Sequence, residues 1–164
     1  MNEEGIFGYM EAQAHKLWNW DRYFMDICEV VKTRSTCSRR QVAAVIVNKR
    51  SIVSTGYNGT PHGIKNCNEG GCPRCSSEAK SGDSLTKCYC SHAEENAIVQ
   101  AARYGTRIDG CTLYNLYSPC ILCTKMILNS GINRVVYKEE YTDYEEVAKL
   151  FKEAQITLVK VKDD

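Results

Sequence analysis

"CYCSHAEENAIVQAARYG", residues 88–105, puts Cys88, Cys90 and His92 close together and then runs into a helix read from Ala93 to Arg103. The fold and the chemistry both turn on which partners His92 takes. One choice is the neighbouring thiols, which gives a metal-stapled loop. The other is a distant pair, which frees Cys88 and Cys90 for a different task.

The distant pair is "SPCILC", residues 118–123, whose Cys120 and Cys123 open a second helix read from Ile121 to Asn129. Both groups thus stand at helix starts that follow a turn. A helix start stabilises thiolate and offers free backbone N–H groups, which suits Cys120 and Cys123 as anionic ligands. One histidine with two cysteines supplies three protein ligands, and a catalytic zinc keeps its fourth position open. Glu94, two residues from His92, stands near such a metal and is placed to move a proton between water and a leaving amine. Alone, a C-x-x-C pair is more often a structural clip, and a lone histidine at a helix start more often a cap. The joint pattern, His92-Ala93-Glu94 with Pro119-Cys120-Ile121-Leu122-Cys123, is the signature of zinc deaminases, with the glutamate as acid and base and not as a ligand.

The flanking chain frames this pair. "WDRYFMDICEVVKTRS" has Tyr23, Phe24, Ile27, Val30 and Val31 at helical spacing, with Asp21 in the first turn where the helix dipole favours an anion. "QVAAVIVNKRSIVSTGYNG" reads as two strands joined by a turn at Asn48 to Arg50. "CTLYNLY", "NRVVY" and "ITLVKV" read as further strands, and Asp143 to Glu153 as a last amphipathic helix. Strands alternating with helices predict a three-layer α/β/α fold with a central mixed sheet of about five strands. The whole chain, 1–164, is expected to be a single domain, with a cysteine-rich insertion at about 59–90. Periodicity vanishes across that insertion, and a long structureless stretch inside a compact domain is uncommon unless something such as a metal pins it.

From Trp20 to about Tyr141 the chain resembles the deoxycytidylate (dCMP) deaminase family of the cytidine deaminase-like fold. The segments that carry the resemblance are "WDRYFM", "RSTCSRRQVAAVIV", "STGYNGTP", "HAEENAI", "SPCILC" and "GINRVVYKEEY". Ala43 departs from it, standing where the family has glycine. The resemblance implies hydrolytic deamination of dCMP to dUMP with release of ammonia, a catalytic zinc on His92, Cys120 and Cys123, and Glu94 as the proton carrier. It further implies that Asn58 and the backbone at Ala93 and Ser118 contact the nucleotide. Arg39, Arg40 and Tyr141 become candidates for the 5′-phosphate, against the alternative of solvated charges and a core tyrosine. Members of this family are commonly homo-oligomers, often hexamers, and many are activated by dCTP and inhibited by dTTP. Gly56, Tyr57, Gly59 and Arg103 are therefore candidate effector contacts, with a plain turn and a surface arginine as the other reading.

Ten cysteines exceed what one catalytic zinc can use. Cys67, Cys72, Cys75, Cys88 and Cys90 form close-spaced groups suited to a second, structural zinc. Relatives with a second zinc use positions matching Cys37, Cys67 and Cys90, so Cys37 joins the set; spacing does not say which four bind. Cys28 and Cys111 fall within a helix and a strand and read as buried, inert thiols.

Lys and Arg number 21 against 20 Asp and Glu, and this balance argues against a nucleic-acid-tracking surface. No stretch is long and apolar enough to span a bilayer. "MNEEGIFGYMEAQAHK" is polar and acidic, unlike a secretory or transit segment, which implies a cytoplasmic protein with reduced thiols. The rival readings are a deaminase of the same fold acting on cytidine, dCTP, guanine or a tRNA adenosine, and a zinc-stabilised binding module without activity.

Overall fold

Asn19 opens the first helix, α1 (Trp20–Val31): its side-chain oxygen accepts the Arg22 N–H at 2.8 Å, pairing a donor that a helix start leaves unused. The computed structural model describes residues 19–80 and 83–161; the acidic stretch 1–16 lies outside them. After α1 come the strands β1 (Ala43–Asn48) and β2 (Ser51–Tyr57), an antiparallel hairpin whose turn places Lys49 at φ 58°. The chain continues through the cysteine-rich loop into α2 (Ala93–Arg103), β3 (Thr112–Tyr117), α3 (Ile121–Asn129), β4 (Arg134–Glu139), α4 (Tyr144–Glu153) and β5 (Thr157–Lys160).

The five strands form one mixed sheet in the order β2-β1-β3-β4-β5, with β1 antiparallel to both neighbours and β3, β4 and β5 parallel. Strand alternation sorts the core into two layers. Ala44, Ile46, Leu113 and Val135 meet Ala97, Ala101, Ile127, Val147 and Phe151 on the face covered by α2, α3 and α4. Val45, Val47, Tyr114, Leu116 and Val136 meet Phe24, Met25 and Cys28 of α1 on the other. Each fully buried aliphatic side chain contributes roughly 1.5–3 kcal/mol, so both faces must be covered for the sheet to persist. The three-layer α/β/α architecture expected from the sequence is the one observed. Within α1 the buried stripe is narrower than expected: Tyr23 and Val30 are 46% and 69% exposed.

Gly56 sets how closely α2 approaches β2. A Cβ there would lie 2.2 Å from the Ala93 carbonyl and 2.4 Å from the Ala97 amide, so only a bare backbone fits. Among the described residues no helix is long and apolar enough to cross a membrane.

Candidate metal centre and active site

The loops after β2 and β3 deliver the starts of α2 and α3 to one place. His92 is the residue before α2, Cys120 the residue before α3, and Cys123 lies in the first turn of α3. His92 Nδ1 is 3.5 Å from Cys120 Sγ and 3.3 Å from Cys123 Sγ. A tetrahedral zinc with Zn–S near 2.3 Å and Zn–N near 2.05 Å requires nitrogen–sulfur separations of about 3.5 Å, so this donor set fits zinc in type and spacing. His92 therefore groups with the distant cysteines.

The consecutive glutamates have different tasks. Glu95 Oε2 accepts the His92 backbone N–H at 2.6 Å and so caps the helix that carries the ligand. Glu94 is buried, and its Oε1 accepts from Asn115 Nδ2 at 2.7 Å. Burial pushes the Glu94 carboxyl above its ordinary range, while its own backbone N–H, His92 and Asn115 favour the charged form. A carboxyl balanced in this way suits repeated gain and loss of a proton. The hydrogen bond to Cys120 raises His92 to about 9, and Cys120 itself is lowered to about 4 by Cys123 and His92. Cys123 is pushed up, first by the Cys120 thiolate and then by burial. Two thiols this close resist sharing two negative charges, and a dication removes that conflict.

An open cavity of about 920 Å³ leads to this centre. His92, Glu94, Asn115 and Ser118 line one part of it, and Arg40, Asn58 and Tyr141 another. Asn115 was not singled out from the sequence; a polar residue inside the otherwise apolar "CTLYNLY" was the available signal. The Arg40 guanidinium lies 5.1 Å from the Tyr117 ring centroid and 5.4 Å from that of Tyr141, and no carboxylate among the described residues pairs with it. Arg39 is engaged elsewhere: its guanidinium donates to the carbonyls of Cys75 at 3.2 Å, Ala79 at 2.5 Å and Ser77. That arrangement makes Arg39, which also lines the cavity, a clamp on the cysteine-rich loop.

Residues 18–139 match the family model for the cytidine and deoxycytidylate deaminase zinc-binding region. The chain belongs to the cytidine and deoxycytidylate deaminase family. Over 127 residues it is 42% identical to the deoxycytidylate deaminase of Mycobacterium phage D29, an alignment covering 74% of this chain and 96% of the phage protein. It is also 42% identical over 140 residues to the deoxycytidylate deaminase of Schizosaccharomyces pombe, covering 85% of this chain. The chain spans 43% of that yeast relative's length. The dCMP deaminase of the cyanophage S-TIM5, solved in complex with dCMP and dUMP, superposes with a TM-score of 0.73 at 31% identity, over 90% of this chain and all of the phage chain.

The other residues expected to matter in a deaminase of this family divide into two groups. Asn58 holds the entrance of the site together: its Oδ1 accepts from Ser35 Oγ at 2.7 Å and Val42 N at 2.9 Å, and its Nδ2 donates to Arg40 O at 2.7 Å. One N–H of the amide remains for a ligand. Ser118 Oγ accepts the Tyr141 N–H at 2.8 Å and so ties the end of β3 to the wall beyond β4. Ala93 is buried in the first turn of α2. By contrast, Gly56, Tyr57, Gly59 and Arg103 do not line the cavity. Tyr57 offers its carbonyl to Asn96 Nδ2 at 2.8 Å, Gly59 pairs with Ser91 as an isolated antiparallel bridge, and Arg103 lies over the Tyr104 ring in the exposed last turn of α2.

The five loop cysteines come together with Cys37, which arrives from the segment before β1. Cys37, Cys67, Cys75 and Cys90 form one group that could hold a metal; Cys72, Cys75, Cys88 and Cys90 form another. Cys28 and Cys111 are buried apart from both, and burial raises each thiol.

Proposed function

We propose that this chain hydrolyses dCMP to dUMP and ammonia, supplying dUMP for thymidylate synthesis, and that residues 19–161 act as one catalytic unit. The observation that carries the reading is the buried Glu94 beside the His92, Cys120 and Cys123 group, at the base of a cavity large enough for a nucleotide. The likeness to phage dCMP deaminases along nearly their whole length supports the choice of substrate. When bound, zinc supplies the Lewis acidity that makes water a nucleophile near neutral pH.

Glu94 takes a proton from the attacking water and passes it to ring N3. The new C–O bond forms at C4 with that first transfer. Glu94 then takes the remaining proton of the C4 hydroxyl and gives it to the amine nitrogen, so that the C–N bond breaks, the C4 carbonyl forms and ammonia leaves. Asn115 holds the Glu94 carboxylate in place through each transfer. The backbone at Ala93 and Ser118 orients the pyrimidine, the free N–H of Asn58 reaches the sugar, and Arg40 with Tyr141 receives the 5′-phosphate. The active form is a homo-oligomer, which in this family extends to hexamers, and dCTP and dTTP act on it as opposing effectors through Gly56, Tyr57, Gly59 and Arg103.

Ammonia release from dCMP, CMP, dCTP, deoxycytidine and guanine tests the reading, with each rate repeated in the presence of dCTP or dTTP. Preferred turnover of dCMP is expected. Turnover of another base with dCMP untouched would overturn the substrate, and no ammonia from any of them by zinc-loaded protein would leave the binding-module reading.

A further inference from the structure

We propose that Cys37, Cys67, Cys72, Cys75, Cys88 and Cys90 hold two zinc ions in a single thiolate-bridged cluster, with Cys75 and Cys90 shared between the metals. The two cysteine groups overlap in those two residues alone. Choosing one four-cysteine site would strand Cys72 and Cys88, or else Cys37 and Cys67, as spare thiols against a bound metal. Within the second group, Cys88 Sγ lies 3.8 Å from Cys72 Sγ and 3.9 Å from Cys75 Sγ. A tetrahedral zinc with Zn–S near 2.3 Å has a sulfur–sulfur edge of about 3.8 Å.

Two of the four terminal sulfurs accept backbone N–H groups. Cys67 Sγ accepts the Ser38 N–H at 3.5 Å, and Cys72 Sγ accepts the Tyr89 N–H at 3.3 Å. Among the described residues no backbone N–H donates to the shared sulfurs of Cys75 and Cys90, nor to those of Cys37 and Cys88, so the lone pairs of Cys75 and Cys90 are open to two metals. Besides backbone hydrogen bonds and the Arg39 clamp, the loop's packing rests on its cysteines among the described residues. Its buried cluster consists of Cys67, Cys72 and Cys75 with Cys37, Cys88 and Cys90 packed against them, and no aliphatic or aromatic side chain joins it. Six thiolates against two dications leave a charge of about −2, and the Arg39 and Arg74 guanidinium groups, both bound to carbonyls of this loop, stand nearby to offset it.

Metal counting and ¹¹³Cd NMR on the full chain test this directly. The wild-type protein is expected to hold three zinc ions per chain, and His92→Ala two. Exchanged with ¹¹³Cd, the wild type should show two resonances in the tetrathiolate region, each split by the other through the shared sulfurs. One unsplit tetrathiolate resonance, or two without mutual splitting, would overturn the bridged cluster. If instead wild type and His92→Ala both hold two metals and the coupled pair persists, the cluster stands and the catalytic-zinc reading fails.

Discussion

Asn115 Nδ2 donates to Glu94 Oε1 at 2.7 Å, with both side chains buried, so a strand residue on β3 fixes the carboxylate that α2 carries. A hydrogen bond to a charged group contributes about 1.5–3 kcal/mol. Asn115→Ala should therefore lower kcat roughly 10- to 100-fold. Zinc content and KM for dCMP should stay near wild type, because Asn115 acts through Glu94 and touches no metal ligand. Parallel loss of zinc and activity, measured on the same preparation, would assign Asn115 to folding instead.

Glu94→Gln keeps the shape of the side chain and removes its capacity to carry a proton. Turnover should drop by about 10²- to 10⁴-fold, the usual contribution of general acid–base catalysis. Metal content should not change, since Glu94 is not among the grouped ligands. Wild-type turnover in this variant would end its assignment as the proton carrier.

Arg40 rests against two tyrosine rings with no carboxylate partner among the described residues, so its removal should weaken phosphate capture without touching chemistry. KM for dCMP should rise about 10- to 100-fold in Arg40→Ala, with kcat little altered. The decisive comparison is deoxycytidine, which lacks the phosphate: its kcat/KM should be the same in both proteins. An equal loss for nucleotide and nucleoside would place Arg40 in the general architecture of the wall. Arg39→Ala should behave differently, destabilising the loop that it clamps through three carbonyls.

Local pattern made some of this legible in the sequence, and tertiary approach hid the rest. The helix spans 93–103 and 121–129 follow from periodicity and helix-start chemistry, and the structure has the same limits. His92 with Cys120 and Cys123 could be paired because each stands at a helix start after a turn, a position readable without coordinates. Asn115 could not be linked to Glu94, because strand and helix meet only through the order of the sheet. Nor could spacing divide the loop cysteines: Cys37 arrives from the segment before β1, and the whole group is assembled by backbone that has no periodicity. Arg39 and Arg40 are adjacent in sequence, yet only the fold separates a loop clamp from a free guanidinium.

Gly56 separates a packing role from an effector role. Its substitution by alanine puts a methyl within 2.4 Å of two backbone atoms of α2, which cannot rotate aside. Gly56→Ala should destabilise the protein by about 1–3 kcal/mol and lower activity by displacing the helix start that carries His92 and Glu94. Thermal melting together with dCTP titration resolves the two roles. Unchanged melting with a lost dCTP response would favour an effector contact.

Asp21 and Arg134 give a stability prediction with a defined pH sign. Arg134 donates to both carboxylate oxygens of Asp21, at 2.8 and 2.7 Å, and Tyr114 adds a third donor at 2.8 Å, pinning α1 to β3 and β4. The Arg134 hydrogen bond holds the Asp21 carboxyl below its ordinary value of 3.8, against an opposing push from burial. A carboxyl lowered on folding contributes its full stability above the unfolded pKa and loses it as pH falls through the folded one. With both side chains 31% exposed, solvent screening limits the contribution to about 1 kcal/mol. Asp21→Asn should therefore be less stable than wild type by about 1 kcal/mol in urea at pH 7, and the gap should stay level down to about pH 5. It should narrow only below 3.8, where the wild-type carboxylate begins to take up its proton. A gap that widens between pH 8 and 5 would show that some other group carries the pH dependence attributed to this pair.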